Sequence, residues 1–118
     1  MNESILQSIK HLLGIEGVYD HFDSDLLIHL NSEFFYLYQI GVTEKPFRIT
    51  GDSETWEDFK SNIEDVALIK DLVYLRTKKI FDPPTSGILM DSLKDQIKEA
   101  EWRVYSEVDF GKEKNNGR

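Results

Sequence analysis

Residues 23–42 read DSDLLIHLNSEFFYLYQIGV and constrain the architecture more than any other segment. Asp23 is a good N-cap and Gly41 allows the left-handed residue of a Schellman cap, so the pattern predicts a helix from Asp23 to Ile40. Six of the seven residues from Phe34 to Ile40 are apolar or aromatic. A helix packed on one neighbour buries a stripe of only about 100°. The apolar surface of this helix is wider than that, so we expect only a small part of its surface to be exposed to solvent.

Two arrangements would cover this helix. In the first, it is the central helix and the other helices surround it. In the second, its extra aromatic face, Phe35 with Tyr36 or Tyr38, meets another copy of the protein, since Tyr and Phe are enriched at such contacts. Both arrangements can hold at once.

Three further helices are predicted from apolar residues that repeat at helical spacing. Their bounds are Ser4–Leu13, about Asn62–Ile80 and about Ser86–Glu107. Gly14 is placed to stop the helix at Ser4–Leu13. Ser61 is placed to cap the helix at Asn62–Ile80, and Pro83 to end it. The last helix carries one apolar stripe, formed by Leu89, Leu93, Ile97, Ala100 and Val104.

The predicted fold is all-α, a four-helix bundle of the up-down type with a long irregular loop between the second and third helices. That loop covers residues 43–60, and we expect Trp56 and Phe59 to point inward from it. Residues 1–108 are predicted to form one helical domain. Residues 109–118 are predicted to be a flexible C-terminal tail, because a polar, glycine-containing segment cannot build a core.

Composition excludes several classes of protein. The chain has 118 residues, no cysteine and a net charge of −8, so disulfides, thiolate zinc sites and a cysteine nucleophile are excluded. Residues 1–59 hold 11 acids and 3 bases, whereas the remainder holds 11 of each. Such a chain repels a phosphate backbone, which weighs against direct DNA binding. No apolar run approaches the roughly 18 residues of a membrane span, and the start lacks a basic signal-peptide region, so a soluble protein in a reducing compartment is expected.

Residues that could carry chemistry form no credible active site. Asp25, His29 and Glu33 share one helical face, but nothing supplies the remaining ligands of a metal site at a recognisable spacing. Three acids of the last helix are similar to the paired carboxylates of all-helical metal-dependent nucleotide pyrophosphatases: Asp91, Asp95 and Glu99. They alternate with lysines and face away from the apolar stripe. We therefore expect no catalytic residue, no bound metal and no cofactor.

The order of short motifs along the chain carries a family resemblance. The motifs are Phe22-Asp23-Ser24-Asp25, Gln39-Ile40-Gly41-Val42, Trp56-Glu57-Asp58-Phe59, Phe81-Asp82-Pro83-Pro84 and Glu101-Trp102-Arg103. Together, over about residues 5–105, they resemble the head–tail connector (adaptor) proteins of long-tailed bacteriophages and prophages. The last two motifs, in this order, are the most specific part of the pattern.

This resemblance implies an all-helical subunit that assembles into a ring of about a dozen copies beneath the portal protein of the DNA-filled capsid. The ring extends the channel, lets DNA pass without specific binding, and offers a platform to the next head-completion or tail protein. The implied location is the head–tail junction of the virion, after synthesis in the bacterial cytoplasm. In similar proteins the C-terminal segment orders on the portal, which points here to Trp102, Tyr105 and Phe110.

Ring subunits meet head to tail, so one face must complement a different face of the neighbour. The charge split suggests that the basic end of the third helix, Arg76, Lys78 and Lys79, meets acids of the first half in the next copy, namely Asp20, Asp23 and Asp25. Two other functions stay open. One is a small acidic helical protein-binding module, such as an inhibitor that mimics DNA, and the other is a metal-dependent nucleotide hydrolase.

Overall fold

The computed structural model describes residues 3–116 and contains four helices over that range. They are α1 (Ile5–Leu12), α2 (Asp23–Gln39), α3 (Val66–Phe81) and α4 (Gly87–Asn116). Helix α3 packs most extensively on α4, and α2 contacts both α1 and α3. The all-α prediction is confirmed. Among the described residues, no helix is long and apolar enough to cross a bilayer.

Helix α2 ends in the predicted Schellman motif. The Val42 N–H donates to the Leu37 carbonyl at 2.9 Å, and Gly41 has the left-handed φ of 96° that the motif requires. Gly14 ends α1 in the same way, with a φ of 79°. Both stops were predicted because glycine reaches this conformation without the strain of a Cβ atom.

Helix α3 begins at Val66, so the predicted start near Asn62 is wrong. Asp65 is its N-cap, and the Asp65 side chain accepts a hydrogen bond from a backbone N–H of the first turn at 3.1 Å. Ser61 instead accepts from the Ile63 N–H at 2.8 Å and turns the loop. Because Ile63 is buried, this turn delivers a loop residue to the core before the helix starts.

Helix α4 continues to Asn116, so its predicted end at Glu107 is wrong. The buried side chain of Val108 extends the apolar stripe one turn further than the sequence indicated, which helps hold this part of the helix. The prediction that residues 109–118 form a flexible tail concerns mobility and stays a prediction. Residues 117 and 118 lie outside the described residues.

Phe34 of α2 is the centre of the aromatic core. It is fully buried, and its ring centroid lies 5.1 Å from that of Phe47, 5.2 Å from Phe59 and 6.2 Å from Trp56. All three partners belong to the loop between α2 and α3, where Trp56 and Phe59 point inward as expected. The protein's own loop therefore covers the side of α2 that carries Phe34.

Hydrogen bonds fix this loop to α1 and α2. The Asn31 side chain donates to the Ile49 carbonyl at 2.9 Å and accepts from the Ile49 N–H at 2.7 Å, as a neighbouring strand would. An isolated bridge joins Ser4 to Thr55, and the Trp56 indole N–H donates to a buried serine hydroxyl of α1 at 2.9 Å. The loop is thus irregular in backbone but anchored in its middle, at Ile49 to α2 and at Thr55 and Trp56 to α1 and its N-cap.

Lys10 is a buried cation whose side chain is 1% exposed. Its ammonium donates to the carbonyls of Gly17 at 3.1 Å and Tyr19 at 2.7 Å, and lies 2.8 Å from an Asp23 carboxylate oxygen. The ammonium thus makes two hydrogen bonds to carbonyls and one ion pair with Asp23, whose Oδ1 accepts no hydrogen bond in the described part of the chain. Asp23 is therefore not the N-cap that the sequence suggested. Phe22 occupies that position without a side-chain hydrogen bond, and the Asp23 carboxylate serves Lys10 instead.

Replacing Lys10 by methionine removes the cation and leaves the Asp23 carboxylate and two carbonyls unpaired. We expect Lys10→Met to lower the free energy of unfolding by about 3 kcal/mol, because breaking one side of a buried ion pair leaves the other uncompensated. Lys45→Met, at an exposed loop lysine, is the matched control and should change stability by less than about 0.5 kcal/mol. Urea unfolding measures both, and equal losses would contradict the structural role of Lys10.

Candidate functional site

Arg76 joins three helices of one subunit. Its Nε donates to Glu33 of α2 and its Nη1 to Glu101 of α4, both at 2.5 Å. The guanidinium carbon lies 4.4 Å from the centroid of the Tyr36 ring, and the Tyr36 and Tyr105 hydroxyl oxygens are 2.6 Å apart. We call these five side chains the Arg76 cluster, and together they tie α2, α3 and α4 to one another.

The surroundings of Arg76 and Tyr36 hold each of these two groups in one protonation state near neutral pH. Burial alone would lower the pKa of the Arg76 guanidinium, but the hydrogen bond and charge of Glu33 raise the pKa above its ordinary value. Burial and the hydrogen bond with Tyr105 raise the pKa of Tyr36 well above its usual range. Arg76 therefore stays charged and Tyr36 stays protonated near neutral pH, so the contacts that hold α2, α3 and α4 together persist there.

This cluster places three predicted contact residues against partners within their own chain. Arg76 and Tyr36 were predicted at a contact between copies and Tyr105 at the portal. Their polar groups instead pair across α2, α3 and α4, since the fold brings together side chains that are far apart in sequence. Their roles in contacts with other proteins stay predictions.

The remaining charged residues of the predicted contact divide into two groups. Lys78 pairs with Asp82 at 3.1 Å, and Asp23 is held by Lys10. The other three are exposed and form no ion pair within the part of the chain that the structure describes. These are Lys79, Asp20 and Asp25.

The outer side of α2 carries exposed apolar side chains. Phe35 is half exposed, and its ring centroid lies 5.9 Å from that of the partly exposed Tyr38. Ile28, two turns earlier, is 71% exposed. Two of the three aromatic residues predicted to meet another copy, Phe35 and Tyr38, thus remain at the surface.

The solvent side of α4 carries two large exposed aromatic side chains. Trp102 is 67% exposed and Phe110 63%, whereas Val104, two residues or about 200° further around the helix, is fully buried. Leu89 was predicted to belong to the buried stripe, but it is exposed like its neighbour Ile88. Both lie in the first turn of α4, shortly after Pro83 and Pro84, and the buried stripe begins one turn later.

A groove of about 420 Å³ runs between α3 and α4 beside the Arg76 cluster. We call it the α3–α4 groove. Its walls include three lysines and two isoleucines: Lys79, Ile80, Lys94, Ile97 and Lys98. In the sequence, the two lysines of α4 only alternate with Asp91, Asp95 and Glu99, and that pattern did not predict a groove. Their four-residue spacing, around the buried Ile97, is the signal that could have indicated a shared wall.

The three side chains that the sequence places on one helical face, Asp25, His29 and Glu33, do not form a metal site. The His29 ring nitrogen Nε2 donates to the Thr77 hydroxyl at 3.0 Å, since that hydroxyl gives its own proton to the Val73 carbonyl at 2.7 Å. Glu33 is bound by Arg76, and Asp25 is exposed. Among the described residues, no three His, Asp or Glu side chains are placed to hold a metal ion.

Comparison with known proteins adds one finding. The sequence profile of the family described as "Phage connector protein" matches residues 5–110, which include α1 to α3 entirely and most of α4. No curated protein and no solved structure matches the chain.

His29 should make stability depend on pH. Burial lowers the pKa of His29 below its ordinary 6.5, the charge of Arg76 lowers it further and that of Glu33 opposes both. The unfolded state therefore binds the proton more readily, and stability falls as the pH drops from about 7 through 6.5 and below. The urea midpoint of His29→Gln should fall less between pH 7.5 and 5.5 than that of the wild type. His21→Gln, at an exposed histidine, is the control, and an equal change in both variants would contradict this origin.

Proposed function

The chain belongs to the phage connector protein family, and on that premise we propose that it is a structural virion protein that joins the DNA-filled head to the tail. In this proposal about a dozen copies form a ring beneath the portal protein and extend the DNA channel. The ring then presents a platform to the next head-completion or tail protein. The subunit is made in the bacterial cytoplasm, ends at the head–tail junction, and acts without catalysis or a cofactor.

The observation that carries the proposal is the family match over residues 5–110, nearly the whole described chain. The shape of the subunit supports it. The aromatic core closes within one chain around Phe34, so the exposed apolar residues are not left over from an incomplete fold. Trp102 and Phe110 on the solvent side of α4 are large aromatic side chains of the kind that dominate protein–protein contacts. We assign them to the portal.

Charge supports passage of DNA without specific binding. The net charge of −8 repels a phosphate backbone, and a channel wall of this sign would not retain the genome. A small acidic inhibitor would share the charge. The family match favours the connector over that alternative and over a hydrolase.

Portal docking can be tested with the portal protein of the same phage. We expect Trp102→Ala combined with Phe110→Ala to weaken binding to the portal at least tenfold while the far-ultraviolet circular dichroism stays unchanged, because both side chains are exposed. Ile88→Ala, at an 82% exposed residue near the other end of α4, is the matched control and should bind as the wild type does. Co-sedimentation and electron microscopy of the complex measure docking.

Two results would contradict this proposal. If the double variant docks like the wild type, Trp102 and Phe110 are not the portal contact. If the wild-type chain itself fails to bind the portal, the head–tail connector function is wrong for this protein.

A further inference from the structure

We propose that the α3–α4 groove receives the start of α2 from a second copy of this chain. The inserted part is the surface formed by Asp20, Asp25 and Ile28, which we call the α2 corner. This contact rests on the proposed function, since it is the head-to-tail joint by which ring subunits would meet. The contact predicted from the sequence paired Arg76, Lys78 and Lys79 with acids of the next copy. The present proposal leaves out Arg76, Lys78 and Asp23, because they form ion pairs within their own chain.

The α3–α4 groove carries a net positive charge. Its lining has four cations and two carboxylates, and both carboxylates, Glu33 and Glu101, pair with Arg76. The three lysines of its walls, Lys79, Lys94 and Lys98, are all exposed and form no ion pair with any carboxylate between residues 3 and 111. On a protein of net charge −8 this concentration of cations is out of balance with its surroundings, and an acidic partner would relieve it.

The groove also has an apolar component between these cations. Ile80 is 62% exposed there, and Ile97 forms a nearly buried part of the same wall. Stable protein contacts combine an apolar centre with a polar rim. The occupant should therefore present an exposed aliphatic side chain flanked by carboxylates.

The α2 corner has this composition. Asp20 and Asp25 are exposed and form no ion pair among the described side chains, whereas Asp23 between them is held by Lys10. Ile28 is 71% exposed and lies three residues after Asp25, so the two occupy neighbouring positions on the helix surface. Asp20 lies in the turn before α2 and lines the same surface hollow as Ile28. An aliphatic side chain near two carboxylates complements the isoleucine and lysines of the groove.

Helix geometry prevents a subunit from filling its own groove. Glu33 of α2 lines the α3–α4 groove, and Ile28 lies five residues earlier, about 140° around the same helix. The α2 corner thus faces away from the groove of its own chain and can enter only the groove of another copy. A contact between two different faces repeats from copy to copy and closes into a ring when the rotation allows.

Cysteine crosslinking tests this contact directly, because the chain has no cysteine of its own. The full-length Ile28→Cys and Ile80→Cys single variants are mixed at high concentration, and the mixture is treated with a short bismaleimide crosslinker. The experiment is run both without the portal protein and with it. We expect a covalent dimer from the mixture and little from either variant alone. The chain carrying both substitutions should give a ladder of higher oligomers.

Charge reversal supplies the specificity control. Lys94→Glu with Lys98→Glu, introduced into the doubly substituted chain, should reduce the ladder at least tenfold, and adding Asp20→Lys with Asp25→Lys should restore it. Lys45→Glu with Lys60→Glu, at exposed loop lysines, should leave the ladder unchanged. The yield of the original ladder should also fall as salt screens the charges.

Absence of the ladder both in solution and on the portal would overturn the proposal, as would crosslinking of Ile28→Cys alone, which would indicate a symmetric contact. Retention of duplex DNA by the wild type that is lost on reversing Lys94 and Lys98 would give the groove a different occupant and overturn it too.

If the ladder is missing while Trp102 and Phe110 still govern portal docking, this joint is wrong and the connector function stands. If portal docking fails while the ladder forms, the contact between copies is right and the connector function is wrong.

Discussion

The packing of Phe34 against three aromatic side chains of the α2–α3 loop is the contact on which the rest of the structure depends. It converts a long irregular segment into part of the core and covers α2 on the side away from α3. Asn31 then fixes the loop backbone on the same helix. Because the subunit closes its own core in this way, its exposed apolar residues are available as surfaces for partners.

The Arg76 cluster complements this packing on the opposite side of α2. One guanidinium satisfies carboxylates from α2 and α4 and covers the face of Tyr36, so three helices share a single polar joint. The joint also shapes the α3–α4 groove. Since both carboxylates of the groove pair with Arg76, the unpaired positive charge of the groove belongs to its lysines.

The two glycine stops were predicted from local sequence, whereas the polar contacts between residues far apart in the sequence were not. Gly14 and Gly41 end their helices because the conformation they adopt is a property of one residue and its neighbours. Glu33 and Arg76 are 43 positions apart, and nothing in either segment indicates that they meet. Lys10 is similar, since its acceptors are two carbonyls of an irregular connection that only the fold positions. The groove was missed for the same reason, because two helices build it.

The decisive measurement compares two adjacent phenylalanines of α2 by urea unfolding. If the subunit encloses its own aromatic core, Phe34→Ala should lower the free energy of unfolding by about 3–5 kcal/mol, or prevent folding. Phe35→Ala, at the half-exposed neighbour, should cost less than about 1 kcal/mol. Equal losses at the two positions, or a larger loss at Phe35, would contradict the account, because the covering of α2 would then come from another chain.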